Sequence, residues 1–248
     1  MAPILMYHRI VQERSISSYD VRLGDFKNQL AWLAEKGYTT VLPGEAAGET
    51  TQPRVMITFD DGWESDLIYA LPELEKYNFT ALSFITTGFI DTPGYMSWDQ
   101  VRQLASRGIS VQSHAHSHAF LSDLADDAVR EELKTSRGLL EEYLRRPVAY
   151  LSFPGGRFCR RTLDIARACG YTGVFTSVPQ PSGRRREGLD VYGRFVVSSS
   201  LSQEGFERIV RLDRFTLMRL QMRHYLGRAA KTVLGNRRYH ALWKGLSE

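Results

Sequence analysis

Short apolar runs rich in β-branched residues alternate with amphipathic stretches from residue 4 to residue 197. The runs are predicted strands: Ile4–Tyr7, Tyr38–Leu42, Val55–Phe59, Ala81–Ile85, Ile109–Val111, Val148–Phe153 and Val191–Val197. Alternation of strands with amphipathic helices is typical of a mainly parallel sheet or barrel with helices outside. We therefore predict an α/β fold.

The amphipathic stretches carry signals for helix ends. Ser97 and Gln100, three residues apart, form a predicted capping box. Asp25 and Ser202 are predicted N-caps of two further helices, since their side chains can accept hydrogen bonds from free backbone N–H groups. A long helix is predicted over Asp126–Arg145, before the next apolar run.

The composition is that of a globular protein, with 43% hydrophobic and 24% charged residues. No apolar stretch approaches the roughly 18 residues of a membrane-spanning helix. We expect a cytoplasmic protein, because the residues ahead of His8 lack the basic region of a signal peptide. Cys159 and Cys169 are too few for a disulfide framework, and we expect buried thiols.

Positive charge is concentrated near the end of the chain. Residues 208–244 hold ten Lys or Arg and one acidic residue, Asp213, so this segment carries +9 and the rest −5 of the total +4. Its apolar residues favour an amphipathic helix that packs on the barrel or on a partner subunit. Contact with an anionic surface at the inner membrane is the alternative. Nucleic acid is not expected, because no nucleic-acid-binding motif accompanies the charge; the oligomeric state stays open.

Two polar clusters directly follow predicted strands. Asp60 and Asp61 end the run RVMITF, and such adjacent carboxylates repel unless a cation binds one or one is protonated. A structural Asp-Asp-Gly turn is the alternative. His114 and His118, after GISVQ, are four residues apart and would share one face of a helical turn, with His116 pointing elsewhere. Two imidazoles and one carboxylate make the open tetrahedral site of a catalytic zinc.

At these residues the chain resembles the polysaccharide deacetylases of carbohydrate esterase family 4, the NodB homology fold. Residues 58–62, TFDDG, and residues 114–118, HAHSH, match the first two motifs of that family. The resemblance covers about residues 1–210, the expected catalytic domain, and leaves 211–248 as a basic amphipathic helical extension. It implies a distorted (β/α) barrel that removes acetyl groups from N-acetylated sugars with a divalent metal.

The resemblance also implies roles for single residues. Asp61, His114 and His118 take the metal-ligand positions, and Asp60 takes the position of the catalytic base. The ion expected from these ligands is Zn²⁺, although Co²⁺, Ni²⁺ or Fe²⁺ also suit His and Asp.

The third family motif is altered. Residues 152–156, SFPGG, stand where the family usually has Arg-x-Pro-Tyr-Gly, so Ser152 replaces an arginine. Gly155 replaces the aromatic residue whose backbone N–H forms the oxyanion hole, and that amide survives the change. Arg194 is a candidate for the missing charge that orients Asp60; an ordinary surface arginine is the alternative.

His8 is the candidate general acid. The opening run PILMYHR resembles a subset of the family in which an N-terminal Met-Tyr-His strand brings this group. As the acid, His8 needs a nearby carboxylate or a hydrogen bond to its second nitrogen that holds its pKa near the working pH. A buried structural histidine is the alternative.

These observations predict a metal-dependent hydrolase that N-deacetylates an N-acetylhexosamine in a polysaccharide or a lipid-linked sugar. Two rival interpretations stay open. The first is an amidohydrolase of the same fold that acts on a small non-sugar amide. The second is a homologue that binds carbohydrate and has lost catalysis, for which the altered third motif is the support.

Overall fold

A computed structural model describes residues 2–13, 15–45, 51–181, 183–186 and 188–227. The strands are β1 (Ile4–Tyr7), β2 (Ile10–Val11), β3 (Val21–Arg22), β4 (Thr39–Thr40), β5 (Arg54–Phe59), β6 (Leu82–Ile85), β7 (Ser110–Ser113), β8 (Tyr150–Ser152), β9 (Gly173–Phe175), β10 (Arg184–Arg186), β11 (Leu189–Tyr192) and β12 (Phe195–Val196). The α-helices are α1 (Leu23–Glu35), α2 (Leu71–Glu75), α3 (Trp98–Ser106), α4 (Asp126–Leu144), α5 (Arg160–Ala168), α6 (Gln203–Val210) and α7 (residues 214–227). A π-helix (Asp66–Ala70) precedes α2, and 3₁₀ turns cover Thr87–Phe89, Leu121–Asp123 and Pro154–Gly156.

One curved sheet organises the fold. Its strand order is β10-β11-β9-β8-β7-β6-β5-β1-β12, with β4 paired to β5. Within it the pairing of described strands is parallel except between β10 and β11. The extended segment 189–196 pairs with β9 through β11 and with β1 through β12, so it links the two ends of the sheet. This arrangement confirms the predicted distorted (β/α) barrel.

Alternation of side chains along the strands divides the apolar core in two. Inside the curved sheet lies a small cluster of buried residues: Ile4, Met56, Leu82, Phe84 and Phe175. The neighbouring strand residues, such as Leu5 and Ile57, point the other way and pack against the helices in the larger cluster. Because both faces of the sheet are covered, the central strands β1 (ILMY), β5 (RVMITF) and β6 (LSFI) are mostly apolar, as buried parallel strands usually are.

The predicted helix ends agree with the structure in two cases and fail in one. Ser97 and Gln100 form the capping box of α3, and Ser202 accepts a hydrogen bond from the Gly205 N–H at the start of α6. Asp25 is not the N-cap of α1, because the helix already begins at Leu23. Its carboxylate lies in the first turn, where the helix dipole still favours negative charge.

The prediction of buried cysteines is wrong. Cys159 is exposed and Cys169 is partly exposed, and both are free thiols. They flank the two ends of α5, at its N-cap and C-cap positions, where the chain meets the surface.

The start of the predicted basic extension is helical. In α7, Leu217 and Leu220 pack against the larger apolar cluster, which agrees with the expected packing of one helix face. Residues 228–248 lie outside the described residues, and the predicted division into 1–210 and 211–248 stays a prediction. Among the described residues, no helix combines the length and hydrophobicity needed to cross a bilayer.

Candidate active site and metal centre

Several polar side chains meet at one edge of the sheet. Strands β1, β5, β6, β7 and β8 run parallel, so the residues that follow them lie on the same side. Tyr7 of β1 is in register with Phe59 of β5, and the Asp60 N–H donates to the Tyr7 carbonyl over 3.0 Å. The carboxyl ends of parallel strands are the usual ligand sites of α/β folds.

Asp61, His114 and His118 converge at this edge. The Asp61 Oδ1 atom lies 3.4 Å from His114 Nε2 and 3.3 Å from His118 Nε2. One ligand atom from each of the three residues lies within 4.8 Å of the others. Asp61 Oδ1 is buried and accepts no hydrogen bond from the described residues, as expected for an oxygen that serves a cation.

A hydrogen bond on its second nitrogen fixes the orientation of the His114 ring. Its Nδ1–H donates to the Ser152 carbonyl over 2.7 Å, which leaves the Nε2 lone pair directed toward Asp61. Metal-bound histidines usually donate their other N–H in this way, which fixes the tautomer. Burial lowers the pKa of His114, but Asp60 and Asp61 raise it, with a net shift above the ordinary value. The same two carboxylates would attract a divalent cation.

The histidines converge for a reason other than the one predicted. Residues 114–118 form an irregular loop and not a helical turn. Ala115 (φ 62°) and His118 (φ 63°) adopt the left-handed region that non-glycine residues rarely use. The Glu132 carboxylate of α4 holds this loop by accepting from the backbone N–H groups of His116 (3.0 Å) and Ser117 (2.8 Å). The third histidine is kept apart: His116 Nδ1 is hydrogen-bonded to Thr87 Oγ1 over 2.9 Å.

Asp61 itself has a strained backbone, with φ of 79°. A left-handed conformation costs a non-glycine residue about 1–2 kcal/mol, and such strain clusters at functional sites. Burial raises the pKa of Asp61, yet contact with His114 and His118 outweighs it and holds the pKa well below the ordinary value. The Asp61 carboxylate is therefore ionised near neutral pH and could bind a cation.

Asp60 forms a buried, bidentate ion pair with Arg194. The guanidinium Nη1 lies 2.6 Å from Asp60 Oδ1, and Nη2 lies 2.7 Å from Oδ2. Arg194 is fully buried, so it is not the surface arginine of the alternative interpretation. Burial raises the pKa of Asp60, but the Arg194 and His114 charges lower it below the ordinary value. Arg194 thus lies beside Asp60, although it comes from the segment between β11 and β12 and not from the motif that lacks an arginine.

The surroundings of Arg194 satisfy its remaining donors. Its Nη2 donates to Ser152 Oγ (2.8 Å), Nη1 to Thr58 Oγ1 (3.2 Å) and Nε to the Thr176 carbonyl (3.2 Å). The guanidinium carbon lies 5.5 Å and 5.8 Å from the ring centroids of Phe84 and Phe175, within cation–π range. A buried charge of this kind is tolerated only when it is paired and hydrogen-bonded throughout.

His8 lies at the predicted edge, directly after β1, but its surroundings differ from those expected. Its ring packs on Tyr19 with centroids 4.6 Å apart. Nδ1 is buried and has no hydrogen-bond partner among the described residues, so of the two predicted aids the nearby carboxylates Asp60 and Asp61 are present and the hydrogen bond is not. Burial lowers the pKa of His8 more than the Asp60 and Asp61 charges raise it. The imidazole is therefore neutral near neutral pH.

Gly155 lies in the 3₁₀ turn after β8 with φ of 61°. A Cβ atom there would lie 2.6 Å from Cε1 of Phe120, so a side chain at this position would require the Phe120 ring to move. Phe120 therefore occupies the space that an aromatic residue at position 155 would need. The backbone N–H at position 155 is retained although glycine replaces the aromatic residue of the family motif.

Sequence reasoning missed Trp63, which touches a candidate ligand. The indole Nε1–H donates to Asp61 Oδ2 over 3.2 Å, and the ring stacks on Tyr95 at 4.2 Å. Trp63 also lines a cavity of about 390 Å³ together with Arg9 and Tyr69. Its position in the sequence, two residues after Asp61, was the signal that could have identified Trp63 as a site residue.

Asp66 is a second missed residue. It is buried in the π-helix, where Ser83 Oγ–H donates to its Oδ2 over 2.9 Å. Burial raises the pKa of Asp66 well above the ordinary value, and this favours the neutral carboxylic acid. π-Helical turns often occur at functional sites, but the sequence alone gave no indication of one here.

Comparison with known proteins bears on the fold and on these residues together. The family model described as polysaccharide deacetylase matches residues 47–174, which is more than half of the chain and includes both motifs. The chain belongs to the polysaccharide deacetylase family. His8 and Arg194 lie outside the matched segment, so the family model does not address them.

Individual relatives agree with this assignment. YxkH of Bacillus subtilis (strain 168), itself assigned to the polysaccharide deacetylases, is 31% identical over 210 residues, covering 82% of this chain and 74% of YxkH. Poly-beta-1,6-N-acetyl-D-glucosamine N-deacetylase of Escherichia coli (strain K12) is 26% identical over 138 residues, covering 46% of this chain but 20% of that enzyme.

A solved structure supports the same fold. The Streptococcus pyogenes deacetylase PplD, in complex with acetate, matches with a TM-score of 0.74 and 25% identity. The match covers 84% of this chain and 97% of PplD. These comparisons confirm the predicted family and fold, and they make this chain a member of a family of deacetylating hydrolases.

Proposed function

We propose that this protein is a metal-dependent N-deacetylase that removes acetyl groups from an N-acetylhexosamine in a polysaccharide or a lipid-linked sugar. The observation that carries the proposal is the convergence of Asp61, His114 and His118 beside the Asp60–Arg194 ion pair. The substrate class is supported by the Escherichia coli relative, whose name describes a deacetylase of an N-acetylglucosamine polymer.

The three converging residues fit a divalent metal. They offer two imidazole nitrogens and one carboxylate oxygen, the donor set of an open catalytic zinc site. Co²⁺, Ni²⁺ and Fe²⁺ accept the same donors, and Zn²⁺ is the first choice. When bound, the cation lowers the pKa of a water molecule and polarises the acetamide carbonyl.

The remaining residues have complementary tasks. Asp60, held ionised by Arg194, accepts a proton from the attacking water. The Gly155 N–H donates to the acetamide oxygen as negative charge develops on it. His8 is neutral at rest, so it first takes a proton from solvent and then gives it to the departing amine. The products are the free amine of the sugar and acetate.

An acetate-release assay tests the reaction and the substrate together. We expect release from N-acetylglucosamine oligomers or from lipid-linked N-acetyl sugars, loss of it after treatment with a chelator, and recovery with Zn²⁺. Turnover confined to small non-sugar amides would instead support the rival amidohydrolase. Binding of N-acetylglucosamine oligomers without turnover at any metal concentration would support the inactive homologue.

Asp60→Asn is expected to keep the metal and lose activity, because Asp60 is proposed as a base and not as a ligand. General acid–base catalysis contributes roughly 10²–10⁴-fold, and turnover should fall by that factor. Metal content per chain, measured by mass spectrometry, should stay at the parental level. An Asn variant that loses metal and activity together would show that Asp60 is a ligand.

His8→Ala is expected to lower turnover of amide substrates by roughly 10²-fold or more, because the amine must be protonated to leave. An activated ester has a leaving group that needs no proton, so its hydrolysis should fall much less. Thermal unfolding and metal content serve as controls, and both should match the parent. A variant that deacetylates amides at the parental rate would remove His8 from the mechanism.

A further inference from the structure

Helix α7 presents an exposed apolar stripe along one face. The stripe consists of side chains spaced three or four residues apart, with one adjacent pair at its end: Phe215, Met218, Met222, Tyr225 and Leu226. Each is more than half exposed, from 53% for Met218 to 81% for Phe215. Contiguous large apolar side chains in water are unfavourable and usually mark an interaction surface.

The opposite face of α7 is already occupied. Leu217 and Leu220 pack against the main apolar cluster of the domain. Gln221 Nε2 donates to the Pro179 carbonyl over 3.1 Å. These contacts fix the rotation of the helix, so the stripe faces outward in the folded protein and does not belong to the core.

Positive charge borders the stripe on both sides. With 3.6 residues per turn, Arg219 lies at one edge of the stripe and Arg214 at the other, and both are exposed. Between residues 214 and 244 the sequence contains eight Lys or Arg and no acidic residue. An apolar stripe between arginines is typical of a helix in the plane of a membrane surface, where the long side chains reach the phosphate groups.

We propose that the stripe of α7 docks on the surface of a bilayer that contains anionic lipids. The charge of the segment complements such a surface, whereas the rest of the chain is net negative. Arginines at both edges of the stripe can keep their charges at the phosphate groups while the apolar side chains between them enter the bilayer. The helix therefore lies in the interface, with Phe215 and the two methionines among the acyl chains.

Helix α7 packs on a segment that is connected with the candidate site. Pro179 follows β9, whose Phe175 is in register with Ser152 of β8. The carbonyl of the neighbouring Val178 accepts the backbone N–H of Arg194 over 3.0 Å. Helix α7 thus packs on the segment after β9 that also holds the backbone of Arg194, beside the sheet edge that carries Asp60.

Vesicle binding by the full chain tests this proposal without a substrate. We expect co-sedimentation with vesicles of phosphatidylcholine plus phosphatidylglycerol, weakening as salt rises, and little binding to phosphatidylcholine alone. Met218→Glu with Met222→Glu should lower the partition coefficient by about tenfold or more, because the two methionine side chains that would enter the bilayer on docking are replaced by charged ones. Arg214→Gln with Arg219→Gln should lower it by about tenfold or more, because roughly a fivefold loss is expected for each removed cation. Acetate release from soluble oligomers should not change.

Ile68→Glu is the matched control, since Ile68 is 47% exposed, close to the 53% of Met218, but lies outside α7. It should bind vesicles like the parent. Absence of binding to the anionic vesicles, or binding that the glutamates in α7 do not weaken, would overturn the proposal. A third outcome would also contradict the proposal. If the parent self-associates in solution, the glutamate substitutions in α7 dissociate it, and neither form binds vesicles, then the stripe contacts a second copy of the chain and not a membrane.

Discussion

His114→Ala and His118→Ala enzymes are each expected to release no detectable acetate and to carry much less metal than the parent. Removal of one of three protein ligands leaves an incomplete site, and His114 supplies a buried, pre-oriented Nε2 atom. Metal affinity should fall by more than the roughly 10–100-fold that follows loss of an outer hydrogen-bond partner. Titration of the metal-free proteins with Zn²⁺, followed by calorimetry, measures this directly.

His116→Ala is the control for that experiment, because His116 lies in the same loop but bonds to Thr87. It should keep the metal affinity of the parent within a few fold. Equal losses in His114→Ala, His116→Ala and His118→Ala would mean that the loop has collapsed in each variant. Parental metal affinity in His114→Ala would show that the cation binds elsewhere, and the proposed site would have to be abandoned.

The positions of the candidate ligands follow from simple rules of sheet structure. Asp60 and Asp61 end one apolar run and His114 follows another, and the carboxyl ends of parallel strands meet at one edge. These local patterns were enough to predict that the two clusters lie together. His118 converges with Asp61 and His114 as predicted, but not through a helical turn, because the loop is shaped by left-handed residues and by the Glu132 carboxylate. A rule based on local spacing cannot predict the contact with Glu132, which is 16 residues away from His116 in the chain.

The sequence could name Arg194 but could not decide where it lies. Its burial results from the segment 189–196, which joins the two ends of the sheet and carries the guanidinium into the interior. That closure depends on pairing between residues far apart in the chain. The same applies to Phe120, whose ring fills the space beside Gly155, and to the indole of Trp63 on Asp61. Long-range packing, not local propensity, decides each of these contacts.

Arg194→Met is expected to damage both stability and turnover, because it leaves the Asp60 carboxylate buried without its charged partner. Removing one member of a buried ion pair typically costs about 3–5 kcal/mol, and the free energy of unfolding at neutral pH should fall by that amount. Arg194→Lys keeps a positive charge but loses the two parallel hydrogen bonds, so its loss should be smaller. Denaturant unfolding of both variants beside the parent measures the difference.

The pH dependence separates a positioning role for Arg194 from a merely structural one. The pKa of Asp60 is lowered in the folded parent, so the stabilisation from the pair is complete above the unfolded value of about 4 and is lost as pH falls through the lower folded pKa. The difference in stability between parent and Arg194→Met should therefore be largest near neutral pH. It should shrink as pH falls, first through the raised Asp60 pKa of the variant and then through the lowered Asp60 pKa of the parent.

The same substitution should move the acidic limb of kcat/KM. Without Arg194, burial is no longer offset by its charge, and the pKa of Asp60 rises. Since the base must be ionised, the acidic limb of Arg194→Met should lie at higher pH than that of the parent, with Arg194→Lys between them. Part of the lost turnover should then return at higher pH. A variant whose turnover falls equally at every pH, with an unmoved limb, would show that Arg194 supports the fold without setting the ionisation of Asp60.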